Sequence, residues 1–78
     1  MNLTQYSRVA EERITTGETY FVKTKFGEAW VKTIGEEMDG WQVEIVDGGF
    51  NIPPKTRYRP GDQYLIWTGT GSWYEVKA

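Results

Sequence analysis

The sequence contains no cysteine and no histidine among its 78 residues. Without cysteine, the chain forms no disulfide framework, has no thiolate for a zinc site and offers no thiol nucleophile. Without histidine, it lacks the most common general base and the most common metal ligand. Its serine and threonine hydroxyls therefore have no imidazole to activate them. We expect a protein that is not an enzyme and has no cofactor.

Long apolar runs are also absent. No segment approaches the roughly 18 consecutive apolar residues that a transmembrane helix needs. Residues 1–10 lack the basic flank and the apolar stretch of a signal peptide. These absences predict a cytoplasmic protein that does not bind a membrane. The length suits one small domain, and the net charge is -2 with a pI near 5.0.

Aromatic residues are abundant, at 15% of the chain, and they include four tryptophans. A chain near this length buries only about 60% of the surface that its unfolded form exposes. Because no disulfide adds stability, large side chains must supply most of the buried apolar area. We therefore expect most of the aromatic residues to belong to the core.

From residue 18 onward, short segments rich in β-forming residues alternate with turn residues. Trp41, Val43 and Ile45 alternate with polar residues, and residues 64–67 are apolar on both faces, which is typical of a central strand. Asp39-Gly40, residues 47–49, 60–62 and 69–71 are turn signals. The pattern predicts a mainly β fold, a small antiparallel five- or six-stranded barrel or rolled sheet of the SH3-like type. An OB-type barrel is the alternative. The expected core is Val22, Val31, Trp41, Val43, Ile45, Leu65, Ile66 and Val76.

The first segment has a different pattern. Apolar residues at helical spacing, among them Leu3, Tyr6 and Val9, predict a short helix between residues 3 and 14. An isolated helix of this length is marginal in water. We therefore divide the chain into an N-terminal helical or frayed segment, residues 1–17, and a single small β-barrel domain, residues 18–78.

Charge is unevenly distributed along the chain. Residues 36–48 carry five acidic side chains and no basic one, a local charge of -5. Residues 49–61 carry three basic side chains and no acidic one, a local charge of +3. The acidic run does not have the ligand spacing of a calcium-binding loop, so we read it as a solvated hairpin and predict no metal site. The acidic-face candidates are Glu36, Glu37, Asp39, Glu44 and Asp47.

Basic and aromatic residues are interleaved in two places. If Phe21, Lys23 and Lys25 share one strand face, then Trp30 and Lys32 on the next strand share it as well. The candidates for partner binding are Phe21, Lys23, Lys25, Trp30, Lys32, Lys55, Arg57, Tyr58 and Arg59.

Three functions fit this composition. The leading one is a non-enzymatic interaction module that docks onto another protein, because Trp, Tyr and Arg dominate binding energy at protein interfaces. The alternative is single-stranded nucleic-acid binding, in which bases stack on aromatic rings and cations contact phosphates. The overall acidity disfavours it. The second alternative is an acidic mimic that blocks a basic site on a partner. No motif in the sequence is specific to a known family.

Overall fold

A computed structural model describes residues 6–54 and 56–76. They form seven strands, which are β1 (Tyr6–Val9), β2 (Thr19–Thr24), β3 (Gly27–Glu37), β4 (Gly40–Ile52), β5 (Thr56–Tyr58), β6 (Gln63–Trp67) and β7 (Ser72–Val76). Within these residues there is no α-helix, and a 3-10 turn at Glu11–Arg13 is the sole helical element. The prediction of a mainly β protein is confirmed.

All strands join one antiparallel sheet, in the order β1-β7-β2-β3-β4-β5. The long strand β4 pairs with β6 along Gly40–Glu44 and with β5 along Phe50–Ile52. Within the part of the chain that is described, β1 and β5 end the sheet and β6 pairs only with β4. The sheet is therefore open, so the barrel alternative of the prediction is wrong, and the described residues form seven strands rather than the predicted five or six.

The predicted N-terminal helix is also wrong. Tyr6–Val9 is a strand that pairs with β7, so that Tyr6 lies opposite Val76 and Val9 opposite Trp73. Val9 is buried, and only the short 3-10 turn follows. Three turns of helix are marginal by themselves, and pairing with a distant strand outweighs that weak local preference. Leu3, on which the helical pattern also rested, lies outside the described residues.

The core lies on one face of the sheet. Of the eight residues expected there, six are buried, which are Val22, Val31, Trp41, Val43, Ile45 and Ile66. Val76 is 56% exposed because it shares the outer face with Tyr74, while Trp73 points inward. Leu65 is only partly buried because it alternates with the buried Ile66 and so lies on the outer face of β6. The core also contains Val9, Ile14, Tyr20, Ala29, Phe50 and Trp73.

Two β-bulges bend the central pair of strands. One leaves Val46 of β4 without a partner in β3, and the other leaves Ile34 of β3 without a partner in β4. The predicted turn at residues 47–49 is therefore wrong, because β4 continues through it. Gly48 has a φ of +83°, and a Cβ there would lie 2.6 Å from the Glu28 carbonyl oxygen. The glycines that suggested a turn instead allow neighbouring backbone to approach closely.

Candidate functional site

Four aromatic side chains meet on the outer face of the sheet, opposite the core. Phe21 of β2 lies opposite Trp30 of β3 on one side and opposite Tyr74 of β7 on the other. Tyr6 of β1 completes the group through contacts with Phe21 and Trp30. We call these four residues the aromatic face. All four are partly buried, so each ring also exposes part of its surface to solvent.

The rings of the aromatic face contact one another in a chain that is centred on Phe21. Its centroid lies 5.3 Å from that of Trp30, 5.9 Å from that of Tyr6 and 6.3 Å from that of Tyr74. Such contacts contribute about 0.5–1.5 kcal/mol each beyond the area they bury. A hollow of about 30 Å³ lies among Tyr6, Phe21, Lys23 and Tyr74. The rings are thus held in place by their contacts with one another.

Charges of both signs surround the aromatic face. The Nζ atom of Lys23 lies 3.5 Å from a carboxylate oxygen of Glu28, the residue opposite it on β3. Lys32 lies opposite Glu44, and Asp47 lies opposite Trp30. The cations of this surface are therefore interspersed with carboxylates. A partner with mixed charges is matched better by such a rim than a uniform polyanion would be.

The remaining basic candidates lie elsewhere. Lys25 is in the turn between β2 and β3, with its Nζ atom 5.2 Å from the centroid of the Phe26 ring. Arg57 and Arg59 belong to β5 and the residue after it, and they line a cavity of about 320 Å³ with Gly48–Asn51. Lys55 lies outside the described residues. Among the described residues, the predicted basic groups therefore do not converge on one surface.

Tyr58, another candidate for partner binding, packs mainly against the core. Its ring centroid is 4.8 Å from that of Tyr64, which in turn stacks on Phe50 at 4.8 Å. Burial raises the pKa of Tyr64 above its usual value, and the nearby Tyr58 phenol raises the same pKa further. This group stabilises the open end of the core beside β5.

The acidic candidates are also divided. Glu36 and Glu37 line a cavity of about 410 Å³ together with Glu11 and Glu12. Asp39 lies exposed in the β3–β4 turn, whereas Glu44 and Asp47 border the aromatic face. Among the described residues, no three His, Cys, Asp or Glu side chains come together in a way that holds a metal ion.

The sequence predicts Phe21 and Trp30 as candidates and places them on one face with Lys23 and Lys32. The observed register of β2 and β3 places these four residues on the same face. The sequence prediction missed Tyr6 and Tyr74. Tyr74 carried a usable signal, because alternation in a strand that contains a buried Trp73 places its neighbour outside. Tyr6 carried none, because its segment has helical spacing.

The chain matches no protein-family model, no curated protein and no solved structure. Within the described residues there is no helix of the length and apolarity that crossing a membrane requires. The candidate site is thus defined by its own geometry.

Proposed function

We propose that this protein is a non-enzymatic docking module that binds another protein through the aromatic face. The observation that supports the proposal is the preassembled cluster of four partly exposed rings, which contact one another at 5.3–6.3 Å. Partly exposed aromatic side chains surrounded by polar residues are the anchors of protein interfaces. Because packing already orders these rings, they lose little additional side-chain entropy when a partner binds.

The rim indicates the chemistry of the partner. Lys23 and Lys32 are accompanied by Glu28, Glu44 and Asp47 on the same outer surface. The partner we propose therefore presents an apolar centre, which enters the hollow beside Phe21, with charges of both signs around it. Salt bridges at such a rim affect the rate of association more than the affinity.

Single-stranded nucleic acid fits this surface less well. Stacking platforms of that kind combine rings with an uninterrupted track of cations along the phosphates. Here Lys23 contacts a carboxylate at 3.5 Å, and Arg57 lies on β5, three strands away from β2 in the sheet order. Nucleic-acid binding is consequently an outcome of the test rather than the proposal.

Capture from a nuclease-treated lysate of the source organism is the first experiment, with wild type, Trp30→Ala and Trp67→Ala as baits. Trp67 is a matched control because it is a half-exposed tryptophan on β6, away from the aromatic face. We expect one protein to be retained by wild type and by Trp67→Ala and lost with Trp30→Ala. The melting temperature of each bait verifies that it is folded.

The captured protein is then purified and titrated against the same variants and Lys32→Ala. A hot-spot aromatic costs about 2 kcal/mol or more when truncated, and a rim lysine less than about 1 kcal/mol. Equal losses for Trp30→Ala and Lys32→Ala would contradict the proposal. So would submicromolar binding of a labelled oligonucleotide with log affinity falling about 0.7 per phosphate contact against log salt.

A further inference from the structure

Three strands have one edge without a strand partner among the described residues, namely β1, β5 and β6. Natural sheets protect such edges with charged residues or proline, because an open edge pairs readily with another strand. β1 contains Arg8 and β5 contains Arg57, but β6, with the sequence Gln-Tyr-Leu-Ile-Trp, contains no charge and no proline. β6 is therefore the unprotected edge of this sheet.

The hydrogen bonds on either side of β6 establish which of its backbone groups are open. The Ile45 amide donates to the Asp62 carbonyl oxygen at 2.9 Å, and the Thr68 amide donates to the Asp39 carbonyl oxygen at 2.9 Å. Because bonded pairs recur every second residue in an antiparallel ladder, Tyr64 and Ile66 face β4 in the same way. The amide and carbonyl groups of Gln63, Leu65 and Trp67 then point away from the sheet. The Trp67 carbonyl already accepts from the Thr70 amide and hydroxyl.

We propose that β6 pairs antiparallel with β6 of a second copy of this chain, about a two-fold axis at Leu65. Leu65 then lies opposite its own copy, and Gln63 lies opposite Trp67 of the other chain. The outward groups that remain open form about four hydrogen bonds in this register, because the Trp67 carbonyl is already occupied by Thr70. The outer side chains Leu65, which is partly buried, and Trp67, which is 53% exposed, gain cover. Tyr64 and Ile66 stay in the core.

Charge favours a second copy as the occupant. β6 brings no like charges together when it meets itself, and a C2 interface requires such a self-complementary surface. The same pairing of β5 would place Arg57 against its own copy. Five residues extend only about 17 Å, so the contact is small and the dimer dissociates readily. This assembly leaves the aromatic face free, so it is independent of the proposed docking function.

Sedimentation equilibrium of wild type, Leu65→Lys and Ile34→Lys tests the proposal. Leu65→Lys places two cations together at the two-fold axis. Ile34→Lys is the matched control, because Ile34 is a 42% exposed apolar residue at the bulge of β3 and away from this edge. Over about 10 µM to 1 mM, we expect wild type and Ile34→Lys to dimerise alike and Leu65→Lys to dimerise at least tenfold more weakly. A monomeric wild type throughout this range would overturn the proposal.

Amide hydrogen exchange identifies the paired strand independently of any variant. Exchange at Leu65 should slow as the concentration of wild type rises, because its amide is open in the monomer and bonded in the dimer. Exchange at Arg57 should not change with concentration, because its amide is the outward-facing one of another edge strand, β5. A dimer that survives Leu65→Lys but is lost with Trp30→Ala, or one without concentration-dependent protection at Leu65, would contradict pairing through β6.

Discussion

The bulge in β4 is expected to depend on two adjacent glycines, Gly48 and Gly49, for different reasons. Alanine substitutions at these two positions and at Gly61 separate the effect of backbone conformation from that of steric contact. A Cβ at Gly48 would lie 2.6 Å from the Glu28 carbonyl oxygen, at a φ of +83°. A Cβ at Gly49 would collide with the Tyr58 carbonyl oxygen, although its φ is not positive. Gly61 is the control, since it has a φ of +95° and no atom within 4 Å of a Cβ.

The expected costs follow from these two effects. A left-handed conformation costs a non-glycine residue roughly 1–2 kcal/mol, partly offset by the reduced entropy of the unfolded chain. Gly61→Ala should therefore lower the free energy of unfolding by about 1 kcal/mol. Gly49→Ala has the steric cost alone, about 1–3 kcal/mol for displaced backbone. Gly48→Ala has both, about 2–4 kcal/mol, against a total near 4–12 kcal/mol for 78 residues.

Urea unfolding of the wild type and the three variants measures these losses. The dependence on denaturant should stay the same while the midpoint moves, since the folded state keeps its exposed surface. The reasoning is refuted if Gly48→Ala and Gly61→Ala lose the same free energy within about 0.5 kcal/mol. That result would mean that only the backbone conformation matters and that the approach of β3 to the bulge does not.

Three further predictions concern the core, pH and metal ions. Ile45→Ala should lower the free energy of unfolding by about 2–5 kcal/mol, because Ile45 is fully buried, whereas Val46→Ala at the exposed bulge should cost less than about 0.5 kcal/mol. A larger loss for Val46→Ala than for Ile45→Ala in urea titrations would mean that the strand faces are reversed. The pKa of Tyr64 is raised in the folded state, so its contribution to stability is complete below pH 10.0 and is lost as the pH rises through the folded pKa. Tyr64→Phe should therefore flatten the fall in the free energy of unfolding above pH 10.0. A variant whose stability falls as steeply as that of wild type would contradict this. Millimolar calcium should leave the melting temperature unchanged, whereas a bound ion at 100 times its dissociation constant would add about 2.7 kcal/mol.

The parts of the candidate site that could be predicted from the sequence are those formed by residues close together in the chain. Phe21 and Trp30 lie on adjacent strands of one hairpin, so their pairing follows from alternation and a short turn. The contribution of Tyr6 depends on β1 pairing with β7, more than sixty residues away in sequence. No local pattern encodes such a contact. The same distance dependence explains why Glu11 joins Glu36 at one cavity without any signal in the sequence.

Local patterns in the chain suffice to predict the mainly β class, the positions of most strands and six of the eight expected core residues. These features follow from period-2 alternation and turn chemistry, which act over a few residues. Three features are evident only in the folded sheet: Tyr6–Val9 is a strand, β4 runs through Gly48 and Gly49, and β6 lies at an edge. Each of these depends on which distant backbone supplies the hydrogen bonds, and partners far apart in sequence are chosen by the packing of the whole sheet.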